Sequence, residues 1–299
     1  MSQNPGTEVL RYTAFSADPA GGNPAGVVLD ASGLDDAAML AVAAELGYSE
    51  TAFVTGRTGP GDGGRPGEAG RTGPPAYTVR YFSPRAEVPF CGHATVATAV
   101  ALAERDGPGD LLFLTAAGTV PVTVTRQGAG LRATLTSVEP RVVDITADDL
   151  AEALGALGWP AADLDPELPP RIAFAGARHL VLAAGSRERL ADLDYDFARL
   201  EALMRRLDLT TVHLVWRASS RVFHVRDPFP VGGVVEDPAT GAAAAAFGAY
   251  ARTLGLVPDT AVLTLHQGED MGRPGTLTVE LRSGDTRVRV GGTGTRITG

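Results

Sequence analysis

Three stretches of this chain place a proton-carrying side chain beside a run of small residues. Glu50 stands in Ser49-Glu50-Thr51-Ala52-Phe53. His93 follows Gly92 in Cys91-Gly92-His93-Ala94-Thr95, and Asp237 precedes Gly241 in Glu236-Asp237-Pro238-Ala239-Thr240-Gly241. Carboxylates and imidazoles are common general acids and bases, and glycine lets a ligand approach the backbone closely. Read singly, each residue also has an ordinary structural explanation. Glu50 suits an exposed strand start, His93 a capping or packing position, and Asp237 a helix cap. Asn23 suits the turn Asp18-Pro19-Ala20-Gly21-Gly22-Asn23-Pro24.

The elements that must position these residues are two helices, predicted from Gly92 to about residue 105 and from Gly241 to about residue 254. Both consist of small apolar residues around the whole circumference, so no face suits water and each belongs inside a shell. Two such helices in one chain predict two similar halves, each wrapped around its own central helix. The first turn of a helix presents unpaired N–H groups and a partial positive charge, which suit a carboxylate. A histidine in that turn is disfavoured as a cation and is expected to stay neutral. Two such termini aimed at one cleft would bind an anion twice and stabilise an enolate-like transition state.

The shell is read from apolar alternation. Strands are predicted over 9–15, 25–29, 50–54, 77–82, 111–115, 119–124 and 131–135, and again over 172–174, 179–183, 212–216, 222–226, 262–266, 277–281 and 287–290. Outer helices are predicted over 34–46, from Thr146 to Leu154, and over 197–207. Many short strands interleaved with helices favour an α/β (α+β) protein of two pseudo-symmetric barrel-like domains over a doubly wound sheet. The expected domains are 1–137, completed by the last strand at about 285–299, and 138–284. The glycine- and proline-rich stretch 56–75 reads as a mobile hairpin connection, and 159–170 as a loop.

Composition narrows the partners. A net charge of −9 argues against nucleic acid and against an anionic membrane surface. The single cysteine rules out an internal disulfide and suits a cytoplasmic protein. Residues 1–6 lack the basic run and apolar core of a signal peptide, and no stretch reaches the roughly 18–20 apolar residues of a membrane span. His179, His213, His224 and His266 show no metal-ligand spacing and read as structural. With no phosphate loop, dinucleotide fingerprint or zinc signature, the expectation is no metal and no cofactor.

Taken together, Gly22-Asn23-Pro24-Ala25-Gly26-Val27, Ser49-Glu50-Thr51-Ala52-Phe53, Glu87-Val88 with Cys91-Gly92-His93-Ala94-Thr95, and Glu236-Asp237-Pro238-Ala239-Thr240-Gly241 resemble the phenazine-biosynthesis PhzF-like family. Gln267-Gly268, Met271-Gly272-Arg273-Pro274 and Val290-Gly291-Gly292 continue the match. The resemblance implies a diaminopimelate epimerase-like fold and a homodimer. It implies a cofactor-independent isomerase or epimerase that moves a proton on a small carboxylate held between the two helix N-termini. It assigns acid/base work to Glu50, with His93 and Asp237 as catalytic partners, and substrate contacts to Asn23, Gly92, Ala94, Gly241 and Ala242. One departure is Ala242, where phenazine-type members carry serine; it lowers the expectation that the substrate is the dihydro-hydroxyanthranilic acid precursor. It also keeps a non-catalytic carboxylate-binding protein as the alternative reading. Related racemases use two cysteines, and with Cys91 alone that mechanism is unavailable; Cys91 reads as a small buried residue.

Overall fold

Apolar residues alternating along short strands cover one alanine-rich helix, and the chain builds this arrangement twice. The computed structural model describes residues 7–58 and 73–298. Most of the connection expected over 56–75, and the N-terminal residues 1–6, therefore lie outside the described residues. The chain divides into one unit of Met1–Thr136 with Gly291–Gly299 and a second of Ser137–Val290.

The first unit contains β1 (Leu10–Ala14), β2 (Asn23–Val28), α1 (Asp36–Leu46), β3 (Thr51–Thr58), β4 (Ala76–Phe82), β5 (Glu87–Val88), α2 (Gly92–Asp106), β6 (Asp110–Thr115), β7 (Gly118–Gln127) and β8 (Gly130–Thr136). β1 pairs antiparallel with β2, β2 parallel with β3, β3 antiparallel with β4, and β4 parallel with β6. β6, β7 and β8 follow antiparallel, and residues 291–296 join β8 to β1, closing an eight-stranded barrel. α2 packs on β1, β2, β3, β7 and β8 and is buried from His93 to Ala103. α1 packs Met39 and Ala43 against Val28, Ala31, Phe53 and Phe82.

The second unit contains β9 (Arg141–Asp144), α3 (Ala147–Leu157), β10 (Arg171–Phe174), β11 (Arg178–Ala183), α4 (Arg187–Ala191), α5 (Phe197–Leu207), β12 (Thr211–Arg217), β13 (Val222–Pro228), β14 (Glu236–Asp237), α6 (Gly241–Thr253), β15 (Ala261–Gln267), β16 (Gly275–Arg282) and the first part of β17 (Asp285–Arg296). Its pairing order is antiparallel β9–β10–β11, parallel β11–β12, antiparallel β12–β13, parallel β13–β15 and antiparallel β15–β16. This is the order of the first unit from its closing strand through β7. α6 packs on β9, β10, β11 and β16, and buries Gly241 and Ala243 to Ala251. α3 and α5 bury Leu154, Leu157, Leu200, Leu203 and Met204 with Ile172, Leu180 and Leu214.

Both central helices are thus interior, as their composition requires. Several short elements depart from the expected pattern, α4 among them. β9 falls in a stretch where no strand is expected, and a 3₁₀ turn at Ala161–Asp163 interrupts the expected loop. β5 and β14 have two residues each, too short for any period to register. Glu50 immediately precedes β3 instead of opening it, although its carbonyl accepts from Gly26 N–H at 3.2 Å.

Candidate active site

The four outer helices are capped by their own sequence. Asp35, Thr146, Ser186 and Asp196 each accept a first-turn N–H of α1, α3, α4 and α5. The two central helices are not: Cys91 before α2 and Thr240 before α6 make no side-chain cap bond. Omitting a cap costs about 0.5–2 kcal/mol, whereas burying one Val, Leu or Phe side chain contributes about 1.5–3 kcal/mol. Val96, Val100 and Leu102 of α2, and Phe247 of α6, are fully buried. Burial therefore outweighs the missing caps and leaves two helix starts without a side-chain cap from the preceding residue. At Gly92 a Cβ would meet no protein atom within 4 Å, so nothing in the fold demands glycine there.

Around the start of α2 the first unit gathers five of its polar side chains. The His93 Nε2 lies 3.4 Å from Glu50 Oε2 and 3.2 Å from Ser49 Oγ. Its Nδ1 lies 3.3 Å from Asn23 Nδ2 and 3.3 Å from Cys91 Sγ, and Sγ lies 3.5 Å from Glu50 Oε2. Below them Thr95 Oγ1 donates to the Cys91 carbonyl at 2.7 Å and meets Tyr81 Oη at 2.6 Å, which fixes the residue leading into the helix. Glu50 keeps 18% of its side-chain surface exposed, against 7% for His93, so the carboxylate is the more accessible of the pair.

Distance alone would make Glu50 and His93 an ion pair, but burial decides otherwise. Desolvation pushes the imidazole below its ordinary pKa, and the Glu50 charge offsets this only in part. His93 is therefore neutral at neutral pH. With Nδ1 accepting from the Asn23 amide, Nε2 carries the proton toward Ser49 and Glu50.

In the second unit the corresponding helix start is held by amide and hydroxyl groups. Thr240 Oγ1 donates to Asp237 Oδ2 at 2.6 Å, and Thr240 N–H donates to Gln267 Oε1 at 2.9 Å. Gln267 Nε2 donates to the Asp237 carbonyl at 2.8 Å and to Thr240 Oγ1 at 3.0 Å. Gly268 follows in a left-handed conformation, φ 81°, where a Cβ would stand 2.8 Å from the Pro238 carbonyl. Asp237 itself is held on β14, whose first residue, Glu236, forms a buried two-pronged pair with Arg226 at 3.0 and 2.5 Å. Burial raises the Glu236 carboxyl, and the guanidinium pulls it back toward the charged form.

Asn23, Glu50 and His93 thus meet at α2 beside the backbone of Gly92 and Ala94, while Asp237, Gly241 and Ala242 belong to the group at α6. Two further residues join these groups without having been singled out. Ser49 had only its place before Glu50 as a signal, and Gln267 its place in a matching motif. Cys91 is buried, as expected, and its sulfur also lies 3.5 Å from Glu50 Oε2 and 3.3 Å from His93 Nδ1. His179 and His213 are buried in the second unit as structural histidines. His179 Nδ1 meets Thr211 Oγ1 at 2.8 Å, Thr211 donates to Asp227 at 2.6 Å, and His213 Nδ1 lies 3.0 Å from Asp227 Oδ2. Among the described residues, no helix is long and apolar enough to cross a membrane.

A family model described as phenazine biosynthesis-like protein matches residues 12–299. An uncharacterized isomerase of Deinococcus radiodurans is 34% identical, over 96% of this chain and 92% of its own length. The trans-2,3-dihydro-3-hydroxyanthranilate isomerase of Pseudomonas fluorescens is 30% identical over 94% of each chain. The crystal structure of a Bacillus anthracis phenazine biosynthesis protein of the PhzF family superposes with a TM-score of 0.82 at 25% identity, over 97% of this chain and 96% of that one.

Proposed function

Since this chain belongs to the phenazine biosynthesis-like protein family, we propose that it is an isomerase that moves a proton within a small carboxylate, without a cofactor. The observation that supports this most is the contact of Glu50 with a buried, neutral His93 at the uncapped start of α2. Glu50 removes a proton from a carbon activated by a neighbouring carbonyl or double bond. The electron pair spreads toward the substrate oxygen, and the protonated Glu50 returns the proton to a second carbon. No electrons are gained or lost, so the step needs no redox partner. His93, through Nε2–H, orients the carboxylate and supplies a donor, while Asn23 and the Gly92 and Ala94 backbone hold the substrate. The start of α6, with Asp237, Gly241 and Ala242, offers a second set of helix N–H groups; the family resemblance supports its engaging the same substrate.

Reading Glu50 as the carrier in both half-steps favours a 1,3 shift. Inversion at one carbon needs an acid and a base on opposite faces, as paired thiols provide, whereas a 1,3 shift on one face can use one carboxylate twice. The decisive experiment is incubation in D₂O with a panel of small unsaturated or hydroxylated carboxylates, including trans-2,3-dihydro-3-hydroxyanthranilate. An isomerase washes deuterium into its substrate. Binding of an acid without exchange would instead support the carboxylate-binding reading, which Ala242 favours because no hydroxyl stands at that position. The family resemblance also supports a homodimer, to be tested by sedimentation, and the single cysteine supports a cytoplasmic location.

A further inference from the structure

The last turn of α2 carries a second group of charges, remote from the first. About 16 Å of helix axis separates Glu104 from His93, at about 1.5 Å of rise per residue. Beside it the first unit holds an open cavity of about 380 Å³, whose lining includes Ala103, Glu104, Arg126, Leu131, Gly294 and Arg296. That volume falls within the roughly 300–1,000 Å³ of small-molecule sites. Two guanidinium groups and one carboxylate share the hollow, yet among the described residues no ion pair joins Glu104 to either arginine. Arg126 makes no ion pair or side-chain hydrogen bond at all among those residues. Arg296 pairs loosely with Glu8, at 3.7 Å, both side chains being largely exposed. Glu104 is held from the other side: Tyr12, buried on β1, donates its Oη–H to Oε2 at 2.6 Å. Burial first, and then this hydrogen bond, raise the tyrosine hydroxyl above its ordinary pKa, so it remains a donor. The contact fixes Oε2 on the barrel wall and leaves Oε1 for a ligand. The last turn of a helix bears partial negative charge and favours a cation beside it.

We propose that this cavity is a binding site for a free acidic α-amino acid, separate from the group around Glu50. Two positive charges and one negative charge in the lining are the complement of a molecule with two carboxylates and one ammonium. The ammonium sits at Glu104 and the last turn of α2. The carboxylates sit at Arg126 and Arg296, whose planar guanidinium groups suit two-pronged contacts, and one of them displaces Glu8 from Arg296. A ligand carrying both signs thus joins charges that the fold brings to one hollow without pairing them. The site lies wholly within the unit of Met1–Thr136 with Gly291–Gly299, and it does not depend on the isomerase reading.

Isothermal titration calorimetry of the full chain with L-glutamate and L-aspartate tests the site without any assay of turnover. One-to-one binding of at least one of them is expected. Glutarate lacks the ammonium and γ-aminobutyrate lacks the α-carboxylate, so each should bind more weakly than glutamate by about tenfold or more. Arg126→Ala and Glu104→Gln, checked for folding by circular dichroism, should each weaken amino-acid binding by about tenfold or more. Glu104→Gln should leave glutarate binding unchanged or tighter, because glutarate has no ammonium to lose a partner. Glu50→Gln should leave amino-acid affinity unchanged, since that carboxylate belongs to the other end of α2. No binding of either amino acid, or glutarate binding as tightly as glutamate, would overturn the proposal. So would unchanged affinity in Arg126→Ala or in Glu104→Gln. Binding lost in Glu50→Gln would place the amino acid at the start of α2 and overturn the proposal as well.

Discussion

The starts of α2 and α6 occupy the same place in two copies of one topology, and their side chains differ position by position. Glu50 immediately precedes β3; the residue before the equivalent β12 is Thr210. The residues before the helices are Cys91 and Thr240, and the second helical residues are His93 and Ala242. What the copies share is the frame. A two-pronged arginine–glutamate pair ties β4 to β5 through Arg80 and Glu87, at 2.7 Å for each bond, and Arg226 and Glu236 tie β13 to β14. The strand pair that delivers the chain to each helix is therefore anchored alike, while Glu50, Cys91 and His93 collect at α2 and a network of carboxylate, hydroxyl and amide groups at α6. Duplicated topology repeats the backbone and its burial; it does not oblige the exposed ends to carry the same chemistry.

Exchange kinetics offer the strongest way to break this comparison. Glu50→Gln keeps size and hydrogen bonding but cannot cycle a proton. Deuterium exchange is expected to fall by about 10²–10⁴-fold, with ligand affinity within a few fold. Thr210→Val, at the equivalent position, should leave exchange within a few fold. Equal losses in the two variants, or none in Glu50→Gln, would remove the functional asymmetry.

The anchors differ in burial, and urea denaturation can sharpen that difference. Arg226 and Glu236 keep 11% and 4% of their side-chain surface, Arg80 and Glu87 27% and 37%. Arg226→Leu leaves a buried carboxylate unpaired and should cost about 3–5 kcal/mol. Arg80→Leu should cost no more than about 1 kcal/mol. Similar costs would mean that the two frames are energetically alike.

Acid titration separates the buried histidines from the rest. Burial pushes His179 down to about 3, from an unfolded value of about 6.5. The folded state thus refuses a proton that the unfolded state accepts. Its stability is fully present above about pH 6.5 and falls as pH drops toward about 3, at up to about 1.4 kcal/mol per pH unit. His179→Asn retains a donor in place of Nδ1–H and should flatten this slope; an unchanged slope would locate the sensitivity elsewhere.

The smallest expected effect on folding belongs to Gly92→Ala. A Cβ there meets no protein atom, and alanine is favoured over glycine in a helix by about 1 kcal/mol. Stability should hold or rise slightly, while the apparent KM rises because the methyl occupies the space reserved for the ligand. An unchanged KM would show that substrate does not approach this backbone.

Some of this molecule was determined by sequence alone. Helices made of Ala, Gly, Val and Thr on all faces must be buried, since no side of them suits water, and α2 and α6 are interior. Alternating Leu277, Val279 and Leu281 give a one-sided strand whatever its partners, and β16 is one. The motif around Glu50 and the glycine before His93 were equally legible, because each is a local pattern. Tertiary structure alone decided what those patterns meet. Glu50 and His93 are separated by β3, β4 and β5 in sequence and come within 3.4 Å only through barrel pairing. The same pairing brings in Ser49 and sets the buried Cys91 sulfur beside both. Gln267 reaches Thr240 because β15 pairs parallel with β13, not because of any spacing in the chain. Local propensity follows from a residue and its near neighbours. The distances that bring an acid and a base together follow from long-range strand order, and no short window of sequence contains that order.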